Sequence, residues 1–363
     1  MSSTRPTPTA RGAVHRRPRA LAKGAAAALV AAGTLAAASP AALAVPTAGS
    51  TSGSTGSTGS TIGQPVYVSN INADSVSVLR SGAVVATIPV GSGPGAVAVS
   101  PDGSAAYVAD FNGAAVSVID TGGARVRATV SVGTDPAALA VSPDGSTVYV
   151  ANGIGGTVSV IAAATDSVVA TIPVGGSLAG LAVSPDGGSV YVSGTGGGTG
   201  SGIGAAVGTV SVISTGSDTV TATIAVGGSP NGVAVSPDGG TVYATGFSSS
   251  SVSVIDTGSD TVVDTIGVGS HPGAVALTPD GETAYVTNFG SGSVSVIDTD
   301  HDAVTATVRV GSSPEGVAVS ADGSAAYVAG SHSNTVSVID TSTNTVTATV
   351  HGFAGPTGVA VAP

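Results

Sequence analysis

Residues 137–161 read AALAVSPDGSTVYVANGIGGTVSVI, and variants of this stretch fill most of the chain after residue 64. Its tyrosine recurs at intervals of about 42 residues. Self-similarity at such a period is typical of repeat architectures, and four short apolar runs per period indicate β-propeller blades. The recurring tyrosines are Tyr67, Tyr107, Tyr149, Tyr191, Tyr243, Tyr285 and Tyr327.

Each repeat divides into four predicted strands, which we name A to D. Strand A is GVAV or a variant, strand B ends in YV, strand C is VSVI, and strand D is a segment such as TVTATIAV. Between A and B lies SPDG or a variant, in which Pro presets φ and Gly takes the left-handed position, as in a hairpin turn. A second tight turn is expected to begin three residues after each tyrosine, at residue types that adopt positive φ at little cost. These residues are Asn70, Asp110, Asn152, Gly194, Gly246, Asn288 and Gly330.

The order of the strands predicts how the ring closes. The repeats begin with a B strand at residues 66–68 and end with an unpaired A strand at residues 358–361. There are seven strands of each type, and every blade has one of each only if this last strand joins the first blade, which also removes exposed sheet edges. The sequence therefore predicts an all-β fold: a seven-bladed β-propeller of four-stranded antiparallel blades, closed by the C-terminal strand in the N-terminal blade.

The motifs YVSN (67–70), YVAN (149–152) and YVTN (285–288), each followed by VSVI or VSVL, resemble those of the YVTN family of β-propeller repeats. The resemblance covers residues 64–363 and extends to the broader WD40-like propeller group. It implies the propeller fold and an exported or surface-associated protein. The family's functions are heterogeneous and mostly non-catalytic, so the resemblance implies the architecture but not a particular mechanism.

The N-terminal residues have the features of an export signal. Residues 1–44 contain six basic residues, then an apolar run at 24–38 that is rich in Ala, and a small-residue cleavage site at 42–44. Arg16-Arg17 leaves the Sec and twin-arginine routes both open. Residues 45–63, rich in Gly, Ser and Thr, are expected to form a flexible linker before the propeller at 64–363. We expect a secreted or cell-surface protein with no membrane span in the mature chain.

Charge narrows the choice of partner. Without residues 1–44 the chain has four Arg and no Lys against 21 Asp and Glu, a net charge of about −17 with His neutral. Net repulsion argues against nucleic acids and anionic membranes. The chain contains no Cys, so neither disulfides nor thiolate chemistry are available. We expect a monomer without a required cofactor.

An antiparallel meander places the A-B and C-D loops on one face, which we call the bottom, and the D-A and B-C loops on the other, the top. The bottom carries a repeated set of Asp residues that are expected to support turns. One C-D loop differs, because Asp298, Asp300 and Asp302 alternate along it and could offer oxygen ligands to Ca²⁺. The favoured alternative is a solvated acidic turn. Metal binding by His271, His332 and His351 is less favoured still, because no spacing supports it.

Sequence variation collects on the top face. The B-C loop of the fourth blade is longer by ten residues at 194–208, and the four phenylalanines all map to top loops. Three of them lie four residues after a tyrosine, where they either cap the gaps between blades or form an apolar rim for a ligand. Asp135, Asn231, His271 and Glu315 interrupt a ring of small neutral residues that flank the proline of each D-A loop. The candidate ligand or partner residues are Asp135, Asn231, His271, Glu315, His332, His351, Phe111, Phe247, Phe289 and Phe353.

These residues leave three functions open. The first is an exported non-catalytic scaffold that binds an unidentified protein, glycan or small molecule through its top loops. The second is a propeller enzyme of the lactonase, lyase or hydrolase type that uses top-face His and carboxylates. The third is a structural component of the cell surface. No residue is assigned a catalytic role, since the sequence contains no GxSxG, HExxH, GxGxxG or P-loop motif.

Overall fold

The computed structural model describes residues 63–195 and 208–363. The expected export signal, nearly all of the expected linker and residues 196–207 of the long fourth-blade loop lie outside the described residues. Within the described part, the strands form seven four-stranded antiparallel sheets. No helix there is long and apolar enough to cross a membrane.

The strands follow the predicted order, and blades are numbered along the chain. Blade 1 begins with β1 (Val66–Asn70), β2 (Ser75–Arg80) and β3 (Ala83–Pro89). Blade 2 is β4 (Pro94–Val99), β5 (Ala105–Asp110), β6 (Ala115–Asp120) and β7 (Arg125–Ser131), with a short 3-10 helix at Phe111–Gly113. Blade 3 is β8 (Pro136–Val141), β9 (Thr147–Asn152), β10 (Thr157–Ala162) and β11 (Ser167–Pro173). Blade 4 is β12 (Ser177–Val183), β13 (Ser189–Thr195), β14 (Gly208–Ser214) and β15 (Thr219–Val226).

The remaining strands complete the ring. Blade 5 is β16 (Pro230–Val235), β17 (Thr241–Gly246), β18 (Ser251–Asp256) and β19 (Thr261–Gly267). Blade 6 is β20 (Pro272–Leu277), β21 (Thr283–Asn288), β22 (Ser293–Asp298) and β23 (Ala303–Arg309). Blade 7 is β24 (Pro314–Val319), β25 (Ala325–Gly330), β26 (Thr335–Asp340) and β27 (Thr345–His351), and the chain ends with β28 (Pro356–Val361).

The predicted closure is confirmed. β28 pairs antiparallel with β1, with Val361 opposite Val66 and Val359 opposite Val68. The first sheet therefore has the order β28-β1-β2-β3, so that β28 is strand A of blade 1. The backbone nitrogen of Ala362 also donates to the carbonyl of Pro65 at 2.9 Å. The first and last strands of the repeat region are thus held in one sheet.

The hydrophobic core lies between the blades rather than within one layer. In the described part of the chain, each of seven apolar clusters combines side chains from two neighbouring blades. The repeat tyrosine contributes its ring to these interfaces, and the rings of Tyr107 and Tyr285 are at most 1% exposed. Removal of this apolar surface from water stabilises the ring as a whole, because every blade depends on both neighbours.

The predicted A-B hairpins form as expected. In SPDG at 142–145, Ser142 Oγ donates to Asp144 Oδ1 at 2.5 Å, and the backbone nitrogen of Ser146 donates to the same oxygen at 3.0 Å. Gly145 has φ of +74°. The hydrogen bond from Ser142 lowers the pKa of Asp144, since it stabilises the charged carboxylate. The recurring bottom-face acids of these hairpins therefore serve the turns.

The second tight turn differs in detail from the prediction. The turn follows Asn70, but this asparagine, which ends strand B of blade 1, does not adopt positive φ; Asp74 does, with φ of +45°. Asn70 is instead 2% exposed, and its Nδ2 donates to Ser77 Oγ of strand C at 2.9 Å. The last residue of YVSN therefore joins strands B and C from inside the sheet.

Candidate functional site

The top face opens into a cavity at the centre of the ring, with a volume of about 400 Å³. Its wall is built from the first residues of the A strands, which surround the central axis, and from the first residues of the B-C loops. Small residues dominate the wall, including Ala137 and Ala179, while larger side chains come from blades 1, 2, 5, 6 and 7. The cavity size is within the range of small-molecule sites in proteins.

A recurring backbone hydrogen bond positions the side chains at the rim. The residue after strand B donates its backbone N–H to the residue before the D-A proline, as in Phe111 to Gly93 and Phe289 to His271, both at 3.0 Å. The acceptor adopts positive φ in both cases, and His271 has φ of +52°. The same bond recurs in six blades, where the donors are Ile71, Phe111, Gly153, Phe247, Phe289 and Ser331. Three of these six donors are phenylalanines, and Ile71 of blade 1 also lines the cavity.

Phe111, Phe247 and Phe289 occupy this rim position and line the cavity. The ring of Phe111 is 37% exposed, and the other two rings are half-buried. The structure thus brings together three of the four phenylalanines that the sequence places on the top face. Phe353 differs, because it is only 7% exposed and packs in the cluster between blades 7 and 1. Its ring belongs to the core.

Aromatic rings form a continuous row along one side of the mouth. The ring centroids of His271 and Phe247 are 4.8 Å apart, those of Phe247 and Phe289 6.3 Å, and those of Phe289 and His332 6.0 Å. The Phe289–His332 pair has the edge-to-face arrangement that aromatic quadrupoles favour. We name these four residues the aromatic row. It spans blades 5, 6 and 7.

Glu315 lies beside this row. It is the only residue with an ionisable side chain among the described residues that line the cavity. Burial raises the pKa of the Glu315 carboxyl above its usual value, while a hydrogen bond from Ser331 and the charge of His332 act in the opposite direction. Ser331 Oγ also lies 3.5 Å from His332 Nδ1. A half-buried acid thus faces an otherwise uncharged cavity.

The other candidates lie at different distances from the mouth. Asn231 lines the cavity, and its carbonyl accepts a hydrogen bond from Ser193 of the preceding blade. Asp135 is half-buried in a D-A loop, with φ of +54°, but does not line the cavity. His351 is exposed at the end of β27, the outermost strand of blade 7, opposite Thr335. Asp135 and His351 are therefore peripheral to the cavity.

Buried hydroxyl groups hold the A strands in place around the cavity. Thr287 Oγ1 accepts from the backbone nitrogen of Ala274 in its own blade at 2.8 Å and donates to the carbonyl of Glu315 in the next blade at 2.8 Å. Thr245 makes the same pair of contacts one blade earlier, with Gly232 and Gly273. The third residue of YVTN therefore links neighbouring blades directly at the wall of the mouth.

The acidic C-D loop of blade 6 is organised around Asp298. Its Oδ1 accepts the backbone N–H groups of Asp300 and His301 at 2.9 and 3.1 Å, and its Oδ2 lies 2.8 Å from His301 Nδ1. The hydrogen bond from His301 lowers the pKa of Asp298 and raises that of His301. In residues 63–195 and 208–363, no group of three His, Cys, Asp or Glu side chains could hold a metal ion. Calcium binding at Asp298, Asp300 and Asp302 stays a prediction.

Sequence reasoning did not identify the linked set of Ser331, His332 and Glu315. Ser331 and His332 lie in the B-C loop of blade 7, whereas Glu315 is the second residue of β24, directly after the D-A loop. Nothing in their spacing indicates that the two loops meet. The backbone bond from Ser331 to Ser313, at 3.0 Å, brings the loops together. The repeat itself could have indicated this contact between the loops, because the same backbone bond recurs at aligned positions in other blades.

A family model for the Choice-of-anchor I domain matches residues 219–354, which is somewhat more than a third of the chain. The matched segment runs from strand D of blade 4 to the last D-A loop and includes the aromatic row and Glu315. Comparison with curated protein sequences gives no match.

Solved structures give the same architecture. Hydrazine synthase of Kuenenia stuttgartiensis is 23% identical, with a TM-score of 0.68, over 77% of this chain and 93% of that chain. A functionally unknown protein from Desulfotomaculum acetoxidans is 16% identical, with a TM-score of 0.71, over 82% of this chain and 99% of that chain. At these identities the likeness concerns the fold alone.

Proposed function

We propose that this protein is an exported, non-catalytic binding propeller that takes a small ligand in the central cavity of its top face. The observation that carries the proposal is the convergence of Phe247, Phe289, Phe111 and Glu315 on one cavity of about 400 Å³. Apolar walls with a few polar groups are the usual composition of ligand sites. The rigid ring supplies the preorganisation that binding requires.

Attachment to the cell surface is the second part of the proposal. The match to a Choice-of-anchor I model and the signal-like residues 1–44 support it. In this arrangement residues 45–63 act as a tether that separates the propeller from the surface. The proposal predicts that an extracellular protease or antibody reaches the intact protein on whole cells.

The enzymatic alternative has weaker support. A lactonase, lyase or hydrolase would need a base or nucleophile aimed into the cavity together with a group that orients it. His271 and His332 instead contact phenylalanine rings of the aromatic row. We therefore favour a binding function over a catalytic one.

Methyl NMR can test the binding proposal on the secreted form of the chain. With ¹³C-methyl alanine, the cavity carries four reporter methyl groups, those of Ala96, Ala137, Ala179 and Ala274. A library of neutral, cationic, anionic and carbohydrate fragments should give hits that shift these signals and leave bottom-face alanines unchanged. The double variant Phe247→Ala/Phe289→Ala should weaken those hits by about tenfold or more.

A matched control removes apolar surface elsewhere. Val85 and Val169 are 56% and 63% exposed on outermost strands, so Val85→Ala/Val169→Ala should leave the fragment affinities unchanged. Hits that shift only bottom-face or outer-strand signals, or an equal effect of both double variants, would contradict a site at the mouth.

A further inference from the structure

The charge distribution of the mouth is one-sided. Glu315 brings a carboxyl group to a wall whose other described side chains are uncharged. Described Arg residues lie elsewhere: Arg127, for example, donates to Asp166 between blades 2 and 3, at 3.1 Å. His332 contributes an opposing charge to this carboxyl. The carboxyl thus has no permanent cation of the chain beside it in the described cavity.

The aromatic rings also attract cations, as the carboxyl group does. The face of an aromatic ring carries partial negative charge, so rings attract cations placed within about 6 Å of their centroids. Phe247 and Phe289 are 6.3 Å apart at an interplanar angle of 47°, and both line the cavity next to Glu315. Two tilted rings and a glutamate thus line the same cavity.

The net negative charge of the chain also favours a cationic ligand. Four Arg against 21 Asp and Glu after residue 44 give a negative potential around the molecule, which raises the local concentration of cations. An apolar ligand alone would use the rings but would exclude water from the half-buried carboxyl and leave it only the contacts with Ser331 and His332, at a cost in desolvation. A cationic ligand would contact the rings and also compensate the charge of the carboxyl group.

We propose that the central cavity binds a small organic cation, with the ammonium group held between Phe247, Phe289 and the carboxylate of Glu315. This inference rests on the proposed function and names the ligand class of the same site. The volume of about 400 Å³ leaves room for a body larger than the ammonium group itself. The alanines of blades 3 and 4 face that remaining space.

Choline and its uncharged analogue dimethylbutanol, in which carbon replaces the nitrogen, are matched probes of shape and charge. Calorimetry on the secreted form at pH 8 should give choline a dissociation constant at least about tenfold lower than that of dimethylbutanol. Glu315→Gln, which keeps the side-chain shape, should weaken choline by about tenfold and leave dimethylbutanol unchanged. Phe289→Leu should weaken choline by about fivefold or more.

Glu282→Gln is the matched control. Glu282 is the only other glutamate of the chain and lies exposed in a bottom-face hairpin, so choline should bind this variant as tightly as the wild type. Circular dichroism and the melting temperature establish that each variant is folded.

Three results would overturn the inference. Equal affinities for choline and dimethylbutanol, with an unchanged Glu315→Gln variant, would make the cavity an apolar site and leave the proposed binding function intact. Binding of a trimethyl-lysine peptide more than tenfold tighter than choline would assign the ammonium group to a protein partner. If neither these probes nor any library fragment shifts the cavity methyl groups, both the inference and the proposed function fail.

Discussion

The carboxyl group of Asp110 accepts a hydrogen bond from the Ser117 hydroxyl at 2.7 Å, and both side chains are buried within blade 2. Asp110 occupies the last position of the YVTN-type motif, where blades 1, 3 and 6 carry asparagine and make the equivalent contact with an amide. The equivalent pairs are Asn70–Ser77, Asn152–Ser159 and Asn288–Ser295, at 2.9 to 3.0 Å. Burial raises the pKa of Asp110 from 3.8 to about 6.

Replacing Asp110 with asparagine should stabilise the protein at neutral pH. As the pH rises from about 4 to 6, the unfolded chain releases the Asp110 proton before the folded chain does, so the free energy of unfolding falls. A difference between 3.8 and about 6 corresponds to a loss of up to about 3 kcal/mol above pH 6. Asp110→Asn removes this loss. Urea unfolding of both proteins should give similar stabilities at pH 4 and a more stable variant at pH 7.

The reverse change in the next blade is the control. Asn152 is 0% exposed and donates to Ser159, so Asn152→Asp should destabilise the protein at pH 7 and much less at pH 4. If Asp110→Asn changes the stability by the same amount at every pH, the buried carboxyl is not the source of the effect.

The hydroxyl group of Thr287 should contribute more to the free energy of unfolding than its methyl group does. Thr287→Val keeps the shape but leaves the N–H of Ala274 and the carbonyl of Glu315 without this partner, which should cost about 1–3 kcal/mol. Thr287→Ser keeps both hydrogen bonds and should cost less than about 1 kcal/mol. Chemical denaturation measures both. A valine variant as stable as the serine variant would mean that blade 7 is held to blade 6 by apolar packing alone.

The sequence predicts the strands, the hairpins and the closure because these depend on local patterns that repeat along the chain. The turn chemistry of SPDG acts within a few residues, and the order of strand types determines the place of β28 without any distance information. The prediction for the asparagine positions was incomplete for a related reason. Turn propensity alone pointed to positive φ, whereas the side-chain bond from Asn70 reaches Ser77, seven residues later.

The candidate site is harder to predict from the sequence than the fold is. Phe111, Phe247, Phe289, Asn231 and Glu315 were placed on the top face and do line one cavity. Their convergence depends on the curvature of the ring, which brings side chains from four blades to one mouth. Conversely, Phe353 and His351 are close in sequence to the last D-A loop, but one side chain turns into the core and the other remains at the outer strand. Loop position alone could not distinguish these directions.

Truncation at the C-terminus should destabilise every blade. Deletion of residues 356–363 removes β28, exposes the edge of β1 and opens the interfaces on both sides of blade 1. The loss of several kcal/mol should lower the melting temperature by roughly 10 °C or more. Deletion of Pro363 alone, which follows the strand, is the matched control and should change it little. A single melting transition at the wild-type temperature for the longer deletion would mean that the ring does not depend on closure.

Two phenylalanines of the top loops should differ sharply in their contribution to stability. Phe353 is 7% exposed in the cluster between blades 7 and 1, so Phe353→Ala should cost about 3–5 kcal/mol through lost burial and the remaining cavity. Phe111 is 37% exposed at the rim of the mouth, so Phe111→Ala should cost less than about 1 kcal/mol. Urea unfolding at constant pH compares the two. A cost above about 2 kcal/mol for Phe111→Ala would instead indicate that the rim phenylalanines cap the gaps between blades, and it would weaken their assignment to ligand binding.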